Sequence, residues 1–406
     1  MPATASPETL VLRAGRYLDV ADGRLVSPAV LVIEDERIRA INPSATPSGA
    51  ASIDLGDATL LPGLIDVHTH LLYDIEGDWV NQPVKETTAD LALRGARNAK
   101  PTLMAGFTTV RDLGGSGFAD VALMRAIERG FVEGPRILPA GHSLSITGGH
   151  CDVTGFAPGI VETSPHRGVA DGVDEVLKAV RYQIKHGAKV IKICATAGVL
   201  SFEGPVGALQ YSLEELRAAA EETHRHGLKI AAHAHGTEGI IAASQAGIDS
   251  IEHNSIMTEE AARIIKENGT FVVPNIYLND AIDLDALPPA IRAKAEYLKP
   301  LVGESYRRAL SLGLKIAFGT DAGVYPHGDN AKEFGYQVEL GQTPIGAIRS
   351  ATVVAGELLG LDDRGRIAEG LLADIIAVAG NPLEDVRELE RVTFVMLGGE
   401  IFKNER

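Results

Sequence analysis

The chain has 406 residues, 45% hydrophobic and 23% charged, which is enough for one large core and a smaller second one and excludes a disordered protein. Asp and Glu number 54 against 38 Lys and Arg, a formal net charge of -16 that has the wrong sign for a nucleic-acid or anionic-membrane binder, so the expected partner is a small molecule. Cys151 and Cys194 have no motif spacing and predict no disulfide; with no basic, apolar leader pattern and no apolar run of ~18 residues, this points to the cytoplasm and away from a membrane.

In chain order, residues 1–62 read as short alternating strands separated by turns. From about residue 60 to 325, strand-length apolar runs alternate with amphipathic helical runs. The predicted strands are "GLIDVHTH" (63–70), "FTTVRD" (107–112), "RILPAGH" (136–142), "KVIKICA" (189–195), "KIAAHAH" (229–235), "DSIEH" (249–253), "TFVVPN" (270–275) and "KIAFGTD" (315–321). Between them lie segments such as "SLEELRAAAEETHRHG", with Ser212 as N-cap, Glu215 three residues on and Gly227 at the stop. Eight such units are the pattern of an α/β chain folded as a (β/α)8 TIM barrel, here residues 63–364. No glycine-rich dinucleotide turn supports a doubly wound sheet. Residues 365–406 return to short strands, and we expect them to join residues 1–62 in one small β-sandwich.

In a barrel, chemistry collects at the C-terminal ends of the strands. There the sequence places His68 and His70, Lys192, His233 and His235, His253 and Asp321. His68 and His70 are two apart and share a face, so they can hold one metal from one edge. His253 alone reads as a hydrogen-bonded core histidine, and Asp321 alone as an N-cap; what argues for a metal is their convergence. Lys192, in "GAKVIKICATAG", sits in an apolar strand where an isolated ammonium is costly. Either it pairs with a buried acid such as Asp66, or its nitrogen is not an ammonium.

The motifs "LLPGLIDVHTH", "VIKICATAG", "IAAHAHG", "DSIEHNS" and "FGTDAG", in that order and followed by "GLLADIIAVAGNPLED", resemble those of the metal-dependent amidohydrolase superfamily over nearly the whole chain. "SITGGHCD" and "QYSLEEL" are similar to the branch of Xaa-Pro dipeptidase-like enzymes, carboxypeptidase-like enzymes acting on acyl amino acids, and ochratoxin-degrading amidohydrolases. The resemblance implies two divalent metal ions, zinc being the expected one. His68, His70 and Asp321 would hold one, His233 and His253 the other, bridged by Lys192 carboxylated by CO2. It also implies Asp321 as the base and His150 as a donor to the scissile carbonyl or the substrate carboxylate. His235, Tyr211 and Tyr277 are assigned to substrate, Cys194 to packing beneath the site. Ala197 and Asn254 stand where glycines are usual in the family. The implied reaction is amide hydrolysis that releases a C-terminal amino acid from a dipeptide or N-acyl amino acid, by a homo-oligomer. The alternatives are an imidazolonepropionase-like cyclic amidohydrolase or deaminase with one metal, a lactonase or phosphotriesterase, and a non-catalytic binding protein.

Overall fold

The computed structural model describes residues 9–75 and 78–405. The first segment forms β1 (Thr9–Ala14), β2 (Arg16–Asp19), β3 (Arg24–Val26), β4 (Ala29–Glu34), β5 (Arg37–Ile41), β6 (Ala51–Asp54) and β7 (Thr59–Pro62). Seven strands then alternate with helices: β8 (Leu64–Thr69), β9 (Phe107–Asp112), β10 (Arg136–Pro139), β11 (Val190–Cys194), β12 (Lys229–Ala234), β13 (Ser250–His253) and β14 (Phe271–Val273). The chain ends with β15 (Ile375–Val378), β16 (Phe394–Leu397) and β17 (Glu400–Asn404).

The middle strands form two parallel sheets, β10-β9-β8 and β11-β12-β13-β14. β8, β9, β11, β13 and β14 are buried at every position, as strands covered on both faces are. Isolated parallel bridges continue the ladders: Leu144 to Ile193 beside β11, Val272 to Ile316 and Thr69 to Ala322 on either side of the segment 315–322. That segment, the eighth predicted strand, makes bridges and no regular ladder. At Gly319 a Cβ would collide with Val273 and press on His68, and Asp321 has a left-handed φ of 62°, so the chain turns out of the sheet as it reaches its aspartate.

Helices cover these strands on the side opposite Lys192. Ile191 and Ile193 pack with Val176 and Val180 of the helix Val173–His186 and with Leu216 and Ala220 of the helix Leu213–Arg225, so Lys192 and Cys194, of the other parity, face away from the helices. The second helix begins with the capping box expected of Ser212 and Glu215.

The terminal strands form a four-stranded sheet, β5-β4-β1-β6, and a six-stranded sheet, β17-β16-β15-β7-β2-β3, which takes strands from both ends of the chain. Leu12, Leu31 and Ile33 of the first meet Leu60, Ile375 and Phe394 of the second in one cluster. Leu61, Ile376, Val378 and Val395 belong instead to a cluster with Phe107, Phe318 and Phe334 of the middle segment. The six-stranded sheet therefore has two apolar faces, one for each neighbour.

The two cysteines correct an expectation. The loop after β10 folds back against the end of β11 and brings Cys151 and Cys194, 43 residues apart, to a Cα separation of 6.2 Å, where they are paired as a disulfide. Sequence spacing carries no trace of this, and the pairing removes one ground for expecting a reducing compartment.

Candidate metal centre

The parallel registers decide which side chains meet. Lys192 lies opposite Ala231, Cys194 opposite His233, and His233 opposite Glu252. Residues in register on parallel strands point the same way, so Lys192, His233 and Glu252 share the interior face. By alternation His253 would point outward. Its φ of 72° is what turns it back, and it makes van der Waals contact with the interior histidines: its ring lies 4.7 Å from those of His233 and His235 and 5.2 Å from that of His68. A left-handed backbone at a histidine costs roughly 1–3 kcal/mol and persists only where the surroundings over-determine it.

Two donor clusters result, His233, His235 and His253 in one and His68, His70 and Asp321 in the other, each with candidate ligand atoms within 4.8 Å of one another. Asp321 Oδ1 is 3.3 Å from Nε2 of both His68 and His70. Burial lowers His233 and His253 well below the ordinary histidine value, and His235 to about 3, so all three rings are neutral and able to ligate. His233 Nε2 and His70 Nδ1 are buried without a hydrogen-bond partner among the described residues. Unpaired, inward-facing imidazole nitrogens beside a carboxylate suit a divalent cation, so the residues present fit the metal centre.

The side chain of Lys192, a residue only 3% exposed, makes no hydrogen bond or ion pair among the described residues. The ion pair with Asp66 is not formed: Asp66 instead accepts from Thr320 Oγ1 at 2.6 Å, Asn330 Nδ2 at 2.8 Å and the His68 amide at 3.1 Å. Burial lowers the lysine to about 8, against the pull of Glu252 and Asp321.

Glu252 and Arg111 went unread in the sequence. Glu252 accepts from His68 Nδ1 at 2.9 Å and from Arg111 Nη2 at 2.8 Å, and Arg111, fully buried, also donates to Ser250 Oγ and the Val67 carbonyl. Burial alone would push Glu252 up; Arg111 and His68 outweigh it and hold the carboxyl at about 2. The pair fixes the His68 tautomer with Nε2 free for a ligand. The signal was available, since "FTTVRD" carries a charge inside an apolar strand just as "KVIKICA" does.

A cavity of about 440 Å³ opens over the centre and is lined by Lys192, His68, His70, His233, His253, Asp321 and His150. His150 Nδ1 bonds Ser201 Oγ, which donates to Glu203 Oε1 at 2.7 Å, and Lys294 holds this turn by donating to the carbonyls of Gly198, Ser201 and Glu203. A Cβ at Gly198 would collide with the His150 ring, so glycine there is required by close approach. His235 lies beside His233 and bonds Ser255 Oγ at 2.8 Å. The two tyrosines are not brought to the cavity. Tyr211 is buried in the helix-side core with its hydroxyl donating to the Ala170 carbonyl at 3.1 Å, and Tyr277 packs against Tyr325 and Tyr336 and accepts from Lys332.

The profile of the amidohydrolase family matches residues 59–402. The chain belongs to that family. This amidohydrolase is an enzyme, a hydrolase acting on C–N bonds. It is 35% identical to the ochratoxinase of Aspergillus niger over 430 aligned positions, covering 99% of this chain and 88% of the relative. The solved structure of a Xaa-Pro dipeptidase with bound methionine in the active site is 39% identical and superposes with a TM-score of 0.94, covering 98% of the amidohydrolase and all of that chain. An imidazolonepropionase of Deinococcus radiodurans is 26% identical over 395 positions, 90% of this chain and 89% of its own.

Proposed function

We propose that this amidohydrolase hydrolyses the amide bond of a dipeptide or N-acyl amino acid to release the C-terminal amino acid, at a centre of two divalent metal ions. The observation that carries this reading is the pair of donor clusters in one cavity with an unpaired lysine on the same interior face. His68, His70 and Asp321 would hold one ion and His233 and His253 the other. Lys192 would join both as a carbamate, formed when its neutral amine adds to CO2 and gives up a proton. Only the neutral amine is nucleophilic, and burial supplies it by lowering the lysine to about 8. When bound, divalent ions such as zinc supply Lewis acidity and a nucleophilic water at neutral pH.

The chain's own residues do the rest. Asp321 accepts the proton of the attacking water and passes it to the leaving nitrogen. His150 lines the cavity with Nδ1 committed to Ser201, and in this reading its Nε2 serves the scissile carbonyl oxygen. Arg167 lines the cavity and makes no ion pair among the described residues, which suits it to the substrate carboxylate, while Trp79, Leu91 and Phe156 offer apolar surface to an aryl or alkyl acyl group. Bulky aryl amides of phenylalanine, the ochratoxin type that the family resemblance implies, fit such a lining. We read the two parallel sheets and their bridges as one closed (β/α)8 barrel over residues 63–364, with residues 1–62 and 365–406 as a β-sandwich. In this reading the protein works in solution as a cytoplasmic homo-oligomer.

The test is metal analysis followed by a panel of dipeptides and N-acyl amino acids, on protein reconstituted with and without bicarbonate. Two ions per chain, bicarbonate-dependent loading and turnover of the panel are expected. The imidazolonepropionase relative motivates the competing one-metal reading, which predicts one ion per chain, unchanged in Lys192→Ala and indifferent to bicarbonate.

A further inference from the structure

A second, smaller cavity of about 70 Å³ borders the same centre. It shares His150, Leu200, His233, His253 and Asp321 with the large cavity; its other walls are Val199 after β11, His235 after β12, Ser255 after β13, the turn after β14 and the helix Pro289–Ser311. Its walls include Leu278, Ile282, Leu298 and Val302, and apart from Asp321 no carboxylate, lysine or arginine among the described residues lines it. The space takes roughly five non-hydrogen atoms, a short side chain.

Asn275 is the unexplained residue of this pocket. It lines the cavity, is 1% exposed, and neither its Oδ1 nor its Nδ2 has a hydrogen-bond partner among the described residues. Its backbone is held left-handed, at a φ of 50°. A buried amide that forgoes all of its hydrogen bonds is destabilising, and strain at the same residue adds to that; such features persist where a ligand supplies the missing partners. Neighbouring Asn254 at least donates to the Ile251 carbonyl, so the isolation belongs to Asn275.

We propose that this pocket receives one side chain of the substrate and that Asn275 reads it, selecting a short uncharged group ending in a hydroxyl or carboxamide over its apolar isostere. The volume excludes a second bulky half, and with Asp321 committed to the metal centre no lysine, arginine or other carboxylate among the described wall residues is left to pair with a charged side chain. The amide supplies a donor and an acceptor together, which a hydroxyl or carboxamide can match and a methyl cannot. The larger half of the substrate then occupies the large cavity. This rests on the amide-hydrolase reading of the centre and names the specificity of that same site.

The experiment is kcat/KM of the metal-loaded enzyme on dipeptides and N-acyl amino acids that differ, at one position at a time, by Thr against Val and by Asn against Leu. At one position the polar member should be favoured by at least about tenfold. Asn275→Gly, which accepts the left-handed backbone and removes the carboxamide with its methylene, should bring that ratio to about one or below and leave the preference at the other position unchanged. The ratio is internal to each preparation, so partial loss of folded enzyme does not move it. A wild-type ratio near one at both positions, or a ratio unaltered by Asn275→Gly, overturns the inference while leaving the amide-hydrolase reading standing. Absence of turnover on every member of the panel overturns that reading and the inference with it.

Discussion

Lys192 illustrates how far a single residue can be read. Its presence in an apolar strand announces a special environment, and of the two readings the ion pair with Asp66 is not formed, since Asp66 is bonded to Thr320 and Asn330 instead; the modified amine is a proposal for the bicarbonate experiment. Arg111 is the matching case whose partner the sequence did not suggest: its counter-ion, Glu252, lies 141 residues away and immediately precedes a histidine that drew attention first. Because Glu252 both neutralises Arg111 and orients His68, Glu252→Gln should do two things. It should lower stability by about 3–5 kcal/mol, through an uncompensated buried charge, and weaken metal binding ~10–100-fold. Thermal unfolding and chelator competition check these separately, and unchanged metal affinity would show that His68 needs no such orientation. Tyr211 marks the opposite error, since a tyrosine beside a family motif was assigned to substrate and proves to be core, its ring buried and its hydroxyl satisfied by a backbone carbonyl.

At the scale of elements, strand periodicity located β8, β9, β11, β12, β13 and β14 within a residue or two because buried parallel strands are continuous apolar runs bounded by glycine. It could not foresee the left-handed residues His253 and Asp321, where the ladder is abandoned to aim a side chain, because the residue types there permit but do not demand a positive φ. The helix Lys332–Glu339 carries a further consequence of burial. Glu333 is fully buried, accepts the Tyr277 amide at 2.7 Å with one oxygen and leaves the other unpaired; burial raises it to about 8. A carboxyl raised in the folded state binds its proton where the unfolded chain has lost it. Its contribution to stability is therefore fully present below about pH 4.5 and lost progressively as pH rises to about 8. Glu333→Gln, which keeps the acceptor, should match wild type in acid and exceed it by ~2–4 kcal/mol at pH 8 and above. Denaturant melts across that range check it, and a pH-independent difference would contradict the assignment.

For the whole molecule, the deciding feature is a sheet that neither end of the chain can build alone. β15, β16 and β17 supply half of its strands and, through Ile376, Val378 and Val395, cover Phe107, Phe318 and Phe334. A chain ending at Gly365 should therefore not yield a free-standing catalytic unit but an insoluble or molten product, measured as soluble yield and loss of near-ultraviolet circular dichroism; a well-folded, metal-binding truncation would overturn this. The sequence by itself determined the alternation of strands and helices, the split character of the termini and the residues that could ligate a metal, because these are local patterns of polarity and motif. Only the tertiary structure decided which of them meet. Register put Glu252 beside His68 and Arg111, backbone handedness turned His253 and Asp321 inward, a returning loop joined Cys151 to Cys194, and the small pocket at Asn275 arose from segments that touch only after folding. Contacts of that kind depend on the relative placement of elements far apart in the chain, which no local pattern encodes.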